Sequence, residues 1–172
     1  RASVGVCDVS TLGKIDIQGS DAGAFLDLVY SNTFSTLAVG KTRYGLMLRE
    51  DGMVMDDGTT ARLGETHYVM TTTTANAVGV YRHLEFVRQC LRPDMDVHLI
   101  SGTDSWAQFA VAGPNARAVL QKIIDPQHDL SNEGFPFMAC ADISVCGGVP
   151  ARLFRISFSG ELAYEIAVPS RY

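Results

Sequence analysis

Apolar and polar residues exchange places at every second position through much of this chain, and helical spacing interrupts that alternation three times. Gly13 to Gln18 sets Ile15 and Ile17 against Lys14 and Asp16, which predicts a strand, and Val4 to Val9 alternates more weakly. Gly19-Ser20-Asp21 stops the strand and offers N-cap oxygens to a helix over residues 21–31, with Ala24, Phe25, Leu28 and Val29 inward. Thr33 to Gly40 reads as a connection. Thr42 to Thr74 then reads as three short strands, the first two joined by a tight turn at Glu50-Asp51-Gly52. The longest helical stripe follows in Asn76 to Leu91: Ala77, Val80, Tyr81, Leu84, Val87 and Leu91 face inward and Arg82, Glu85 and Arg88 outward, and Arg92-Pro93-Asp94 ends it. Met95 to Ser101 and Trp106 to Ala112 predict strands, and Gly113-Pro114-Asn115 opens a helix with Ala116, Val119, Leu120 and Ile123 inward. After a loop from Asp125 to Pro136 come three strands, Met138 to Cys146, Val149 to Phe158 and Glu161 to Val168, separated by turns at Gly147-Gly148 and Ser159-Gly160.

The two halves of this pattern repeat. IDIQGSDAGAFLDLVYSN from Ile15 is matched by FAVAGPNARAVLQKIIDP from Phe109: a strand, a Gly-(Ser/Pro)-(Asp/Asn)-Ala turn and a helix, with three strands after each. The expected fold class is therefore α+β, two related strand-helix-three-strand units with mixed or antiparallel sheets, divided at about residues 13–94 and 95–172.

Two adjacent carboxylates stand in the middle strand of the first unit. Strict alternation puts Met53, Met55, Asp57, Thr59 and Ala61 on one face and Val54, Asp56, Gly58, Thr60 and Arg62 on the other. Asp57 is then expected against an apolar wall, which suits it to holding a proton near neutral pH, and Asp56 is expected to pair with Arg62. A turn-proximal or ion-paired surface aspartate fits the same letters. Glu165 lies among small residues of the last strand; buried, it would accept paired hydrogen bonds from a flat, amino-bearing heterocycle such as a pterin, and solvated it would be a plain surface glutamate. Tyr44 and Phe158 suit stacking on such a ring, as they suit a core. Thr71 and Thr73 present hydroxyls at alternate positions, either to a ligand or as a strand end leading into a helix cap.

Composition narrows the field. At 172 residues and 47% hydrophobic the chain buries an ordinary core, and a net charge of -5 without a Lys/Arg block offers no footprint for nucleic acid or an anionic membrane. RASVGVCDVS has no secretion-signal pattern and no window is apolar enough to span a bilayer, so a cytoplasmic location is expected. Cys7, Cys90, Cys140 and Cys146 lack C-x-x-C spacing and read as buried free thiols of a reducing compartment. The four histidines are scattered, and no protein metal site is expected. No G-x-S-x-G elbow, Walker A sequence or G-x-G-x-x-G turn occurs, so this segment is not expected to hold a nicotinamide or flavin dinucleotide in a Rossmann fold.

Five segments in register, VGVCDVSTLGKIDIQGSDA, KTRYGLMLREDGMVMDDGTTARL, HYVMTTTT, VAGPNA and RISFSGELAYEIAVP, resemble the folate-binding aminomethyltransferase family, the T-protein of the glycine cleavage system. Within it they most resemble the branch formed by the C-terminal region of heterotetrameric sarcosine oxidase alpha subunits. The resemblance implies a tetrahydrofolate site and the folate-binding part of an aminomethyltransferase-like domain, with the family's downstream arginine segment and C-terminal barrel beyond Tyr172. It places the acid that faces folate's bridge nitrogen on Asp57, the tyrosine before that hairpin on Tyr44 and the pterin-binding glutamate on Glu165. Further contacts fall on Leu12, Thr71, Thr73 and Phe158. D-V-S-H-M has become Asp8-Val9-Ser10-Thr11-Leu12, and the motif tyrosine of G-Y-T-G-E has become Phe158, which favours the sarcosine oxidase branch. That branch implies sarcosine oxidation at a flavin in another subunit and capture of the imine or formaldehyde by tetrahydrofolate, giving glycine, hydrogen peroxide and methylenetetrahydrofolate. FAD, FMN and NAD are then expected elsewhere in the parent complex, with beta, gamma and delta subunits as partners and the isolated segment inactive. A lipoyl-dependent aminomethyltransferase, a dimethylglycine or sarcosine dehydrogenase folate domain, and a non-catalytic folate-binding or assembly module remain alternatives.

Overall fold

A computed structural model describes residues 2–172. Its strands are β1 (Gly5–Asp8), β2 (Gly13–Gln18), β3 (Lys41–Leu48), β4 (Val54–Gly64), β5 (His67–Thr72), β6 (His98–Ser101), β7 (Trp106–Ala112), β8 (Cys140–Val145), β9 (Val149–Phe154) and β10 (Ala163–Pro169). Helices α1 (Ala22–Val29), α2 (Ala77–Phe86) and α3 (Ala116–Leu120) lie between them. The chain forms two compact units, Thr11–Thr103 and the residues up to Ser10 together with Asp104–Tyr172. Each holds one five-stranded antiparallel sheet, ordered β3-β4-β5-β2-β6 in the first and β1-β7-β10-β9-β8 in the second.

These orders are the same order. Matching β2 to β7, β5 to β10, β4 to β9 and β3 to β8 leaves one edge strand over in each sheet. That edge strand comes from an unexpected place: β1 precedes β2 in the chain yet pairs with β7, and β6 precedes β7 yet pairs with β2. The repeat extends to single hydrogen bonds. Gly19 ends β2 at φ +132°, donates its N–H to Thr66 O (3.0 Å), and lies so close to the segment before β6 that a Cβ would sit 2.0 Å from Asp96 O. Gly113 ends β7 at φ +127°, donates to Leu162 O (2.8 Å), and would put a Cβ 2.4 Å from Ser3 O, before β1. Only glycine tolerates both the left-handed backbone and that approach.

Each unit has its own core. In the first, Ile15, Ile17, Phe25, Leu26, Phe34, Met47, Tyr68, Met70 and Leu84 are buried together; in the second, Val111, Leu120, Ile143, Leu153, Tyr164 and Ile166. Several expected faces are corrected. In α1 the buried residues are Ala22, Phe25, Leu26 and Val29, and Leu28 is exposed, because AGAFLDLV is apolar nearly all round and leaves the helix phase to its neighbours. Asp21 is the N-cap of α1, but no side-chain oxygen caps the helix; Asp21 Oδ2 accepts the Asp96 N–H (2.9 Å) and Ser20 donates through N–H and Oγ to Asp96 Oδ2 (3.0 and 2.9 Å). Beyond α2 a π-helical turn, Val87–Leu91, closes on the Arg92 N–H to Val87 O bond and swings Leu91 out to 58% exposure. Helix α3 stops at Leu120, so Ile124 is buried in place of Ile123, and of the four cysteines expected to be buried Cys140 is, whereas Cys7, Cys90 and Cys146 are exposed.

Candidate functional site

The carboxylate pair is built by a fault in an otherwise regular hairpin. Between β3 and β4 the register runs Tyr44 opposite Thr59, Leu46 opposite Asp57 and Met47 opposite Asp56, then shifts so that Leu48 faces Val54 and Met55 has no partner. This bulge breaks the alternation on which the expected faces rested. Met53 lies beyond the bulge and is exposed, and Met55, the bulged residue, packs against the core, so they do not wall in Asp57. Asp56 is the buried acid, 5% exposed. It accepts from the Thr73 N–H (3.0 Å), Thr73 Oγ1 (2.6 Å) and Asn76 Nδ2 (3.1 Å). Three donors to one carboxylate, about 1.5–3 kcal/mol each, offset the several kcal/mol that burial costs it. Arg62 turns elsewhere, to Leu37 O (2.7 Å) and Glu65 O (2.8 Å), which corrects the expected Asp56–Arg62 pair.

Asp57 is half-buried and faces the other way, beside Tyr44. The two are diagonal neighbours across the β3–β4 pair, and Tyr44 Oη donates to Asp57 Oδ2 over 2.6 Å. The hydrogen bond to Asp57 holds the Tyr44 hydroxyl above its ordinary pKa, with burial and the Asp57 and Asp56 charges acting in the same direction. Tyr44 is 50% exposed, so the pair offers a polar surface within reach of a ligand. The Asp57 Oδ1 atom carries no hydrogen bond among the described residues.

Two other expected contacts are occupied within the sheet. Thr71 Oγ1 accepts from the Thr59 N–H (3.1 Å) and donates to Thr59 O (3.0 Å), replacing ladder bonds past the Thr60–Met70 pair, and Thr73 is committed to Asp56. Gly58 lies against Thr71, where a Cβ would fall 2.1 Å from Thr71 O. Leu12 is half-buried, its carbonyl accepting from Lys14 Nζ (2.8 Å). In the same unit a cleft of about 460 Å³ is lined by Leu48, Met55, His83, Phe86 and Leu91, and none of the expected site residues lines it. Arg49, Glu50 and Asp51 complete the cleft's lining, with Arg49 and Asp51 paired to each other; the carboxylate pair remains the better guide to chemistry, because Asp57 keeps an oxygen for a ligand.

In the second unit Glu165 is half-buried on β10, and Gln108 Nε2 of the neighbouring β7 donates to its Oε2 over 2.5 Å. Gln108 is 1% exposed and was not singled out from sequence, although a lone amide inside WAQFAVA is a signal. It also has a counterpart in the repeat, Lys14 before Ile15 as Gln108 before Phe109, and both are buried polar residues. Phe158 is fully exposed in the loop after β9, whose Gly160 N–H is held by Ser157 Oγ (2.9 Å). Asn76 was also missed: as N-cap of α2 it forgoes a side-chain capping bond, worth about 1 kcal/mol, and spends its amide on Met55 O (3.1 Å) and Asp56 instead. Among the described residues no group of three or more His, Cys, Asp or Glu side chains is placed to hold a metal ion, and no helix is long and apolar enough to cross a membrane.

A sequence profile of the GCVT N-terminal domain matches residues 1–172. The chain is 61% identical over 173 residues to sarcosine oxidase subunit alpha of Rhizobium meliloti (strain 1021), a match covering 100% of this chain and 17% of that protein. It is 36% identical over 170 residues to the aminomethyltransferase of Thermus thermophilus, covering 96% of this chain and 45% of that one. Among solved structures, the glycine cleavage system aminomethyltransferase T from Bartonella henselae matches with a TM-score of 0.83 at 26% identity, over 98% of this chain and 43% of that chain. Heterotetrameric sarcosine oxidase from Corynebacterium sp. U-96 shares the fold with a TM-score of 0.68 at 17% identity, over 98% of this chain and 76% of that one. The chain thus spans 17% of the length of the alpha subunit it matches at 61% identity.

Proposed function

Because this chain belongs to the GCVT N-terminal domain family, we propose that it is the tetrahydrofolate-binding part of a sarcosine oxidase alpha subunit, serving to capture the one-carbon unit from sarcosine as methylenetetrahydrofolate. The observation that carries this reading is the Tyr44–Asp57 pair, a half-buried carboxylate held by an exposed phenol, in a chain 61% identical to such a subunit. Each acid suits a reduced pterin as an acceptor: Asp57 keeps an oxygen for a ligand N–H, and the Glu165 carboxylate, braced by Gln108, is the acceptor type that amino and ring N–H groups seek.

Tetrahydrofolate, when bound, supplies the amine nitrogens that take up a one-carbon unit. Asp57 accepts and holds the proton at the bridge nitrogen, the role of a positioned general base. Tyr44 orients that carboxylate by donating to Oδ2, leaving Oδ1 toward the ligand. Glu165 fixes the pterin, Leu12 and the exposed Phe158 supply apolar surface, and Thr71 and Thr73 contribute the lone pairs their internal bonds leave unused. Sarcosine oxidation at a flavin, the FAD, FMN and NAD sites, and the beta, gamma and delta subunits belong in this proposal to the rest of a cytoplasmic complex.

In the full assembly, Asp57→Asn should lower the rate of methylenetetrahydrofolate formation by about 100-fold or more, as loss of a general base does, while peroxide production from sarcosine continues. Unchanged folate product would remove Asp57 from the chemistry. The glycine cleavage reading ranks second, since the aminomethyltransferase match is 36% against 61%; peroxide formation by the native complex separates the two.

A further inference from the structure

Two adjacent aspartates pose a problem of register. Side chains alternate across a strand, so a slip of one residue in β4 would exchange Asp57 for Asp56 on the exposed face with no change in residue type. The bulge at Met55 is where such a slip would start, since Met55 already lacks a partner on β3. The contacts around it come from the opposite side, from the end of β5 and the start of α2. Asn76 Nδ2 donates to both Met55 O and Asp56 Oδ1, each at 3.1 Å, gripping the bulged carbonyl and the next carboxylate with one amide. Thr73 adds its N–H and hydroxyl to the same carboxylate. No backbone pairing of β4 with β5 extends past Thr60–Met70 among the described residues, so on its β5 side this end of the strand is held through side chains, while β3 pairs with its other edge.

Building on the folate reading of Asp57, we propose that Asp56 and Asn76 are positioning residues that lock the β4 bulge, so that Asp57 and not Asp56 is presented beside Tyr44. The buried acid touches no ligand; it determines which acid does. Asn76 is the better residue to change, because it is exposed and outside both cores, whereas Asp56 is buried.

The test uses the full parent assembly, with 3-fluorotyrosine installed at Tyr44 and followed by ¹⁹F NMR without folate. In Asn76→Ala the bulge loosens and Tyr44 separates from Asp57, so its hydroxyl should ionise at lower pH than in the parent. Methylenetetrahydrofolate formation should fall about 10- to 100-fold in kcat, the scale of a misplaced catalytic group, with the KM for tetrahydrofolate within about twofold of the parent value. Asp56→Asn should reproduce the fall in kcat, while its Tyr44 titration moves in any case because the Asp56 charge is lost, so the titration is read in Asn76→Ala. An unmoved Tyr44 titration in Asn76→Ala overturns the lock, even if the rate falls, because the residue then acts on stability alone. A moved titration with an unchanged rate keeps the lock and removes Asp57 from the chemistry. Asp57→Asn, run in parallel, decides the folate reading separately.

Discussion

The hydroxyl of Tyr44 and the carboxylate of Asp57, 2.6 Å apart, are the smallest feature from which a function can be argued, and each partner reports on the other. The Asp57 carboxylate disfavours the Tyr44 phenolate, so Asp57→Asn should let Tyr44 ionise at lower pH, which the fluorotyrosine titration reads directly. The two aspartates should also separate by stability. Asp56→Ala strips an acceptor from the Thr73 N–H and should cost about 1–3 kcal/mol in denaturant unfolding, whereas Asp57→Ala, on a half-exposed site, should stay within about 0.5 kcal/mol. A larger loss at Asp57 than at Asp56 would reverse their roles. Sequence placed the acids side by side and marked the second as chemical; the strict alternation behind the expected burial fails at one unpaired residue, Met55, which no letter announces.

At the scale of elements, the repeat-equivalent hooks at Gly19 and Gly113 give a matched pair of tests. Alanine at either position meets a backbone carbonyl and a left-handed φ, and each variant should lose about 1–3 kcal/mol of stability, the cost of overpacking. Loss at only one would mean the hooks are not equivalent. Helix α2 adds a pH dependence through His83, whose pKa burial depresses below its ordinary 6.5. The unfolded chain then takes up the proton first, so the stability His83 contributes is full above pH 6.5 and declines as pH falls below it toward the folded value. In His83→Gln the midpoint of thermal unfolding should vary less between pH 7 and pH 5 than in the parent. Strands bounded by glycine turns were legible almost to the residue in their extent, as β2 and β7 show, but not in their burial, since β2 buries Lys14 and Asp16 along with Ile15 and Ile17. Helix faces were legible only where polar residues mark the wet side: α2 was, up to its π-helical turn, and the uniformly apolar α1 was not.

For the whole molecule, a ligand that binds only the folded state stabilises it in proportion to its saturation, so tetrahydrofolate at about 100 times its Kd should add about 2.7 kcal/mol to the full parent chain. No rise in thermal midpoint at that concentration would count against the folate reading at every level. The sequence by itself determined the α+β class, the internal repeat and the residues from which the family is recognised, because these depend on period-two and helical spacing and on glycines that no other residue can replace. Tertiary structure alone decided that the edge strand of each sheet is borrowed from before the other repeat, that Gln108 braces Glu165, and that Asp56 is buried while Asp57 faces out. The physical reason is common to all three: pairing partners distant in sequence and a single-residue shift in register change which side chains meet, and neither leaves a mark in local alternation.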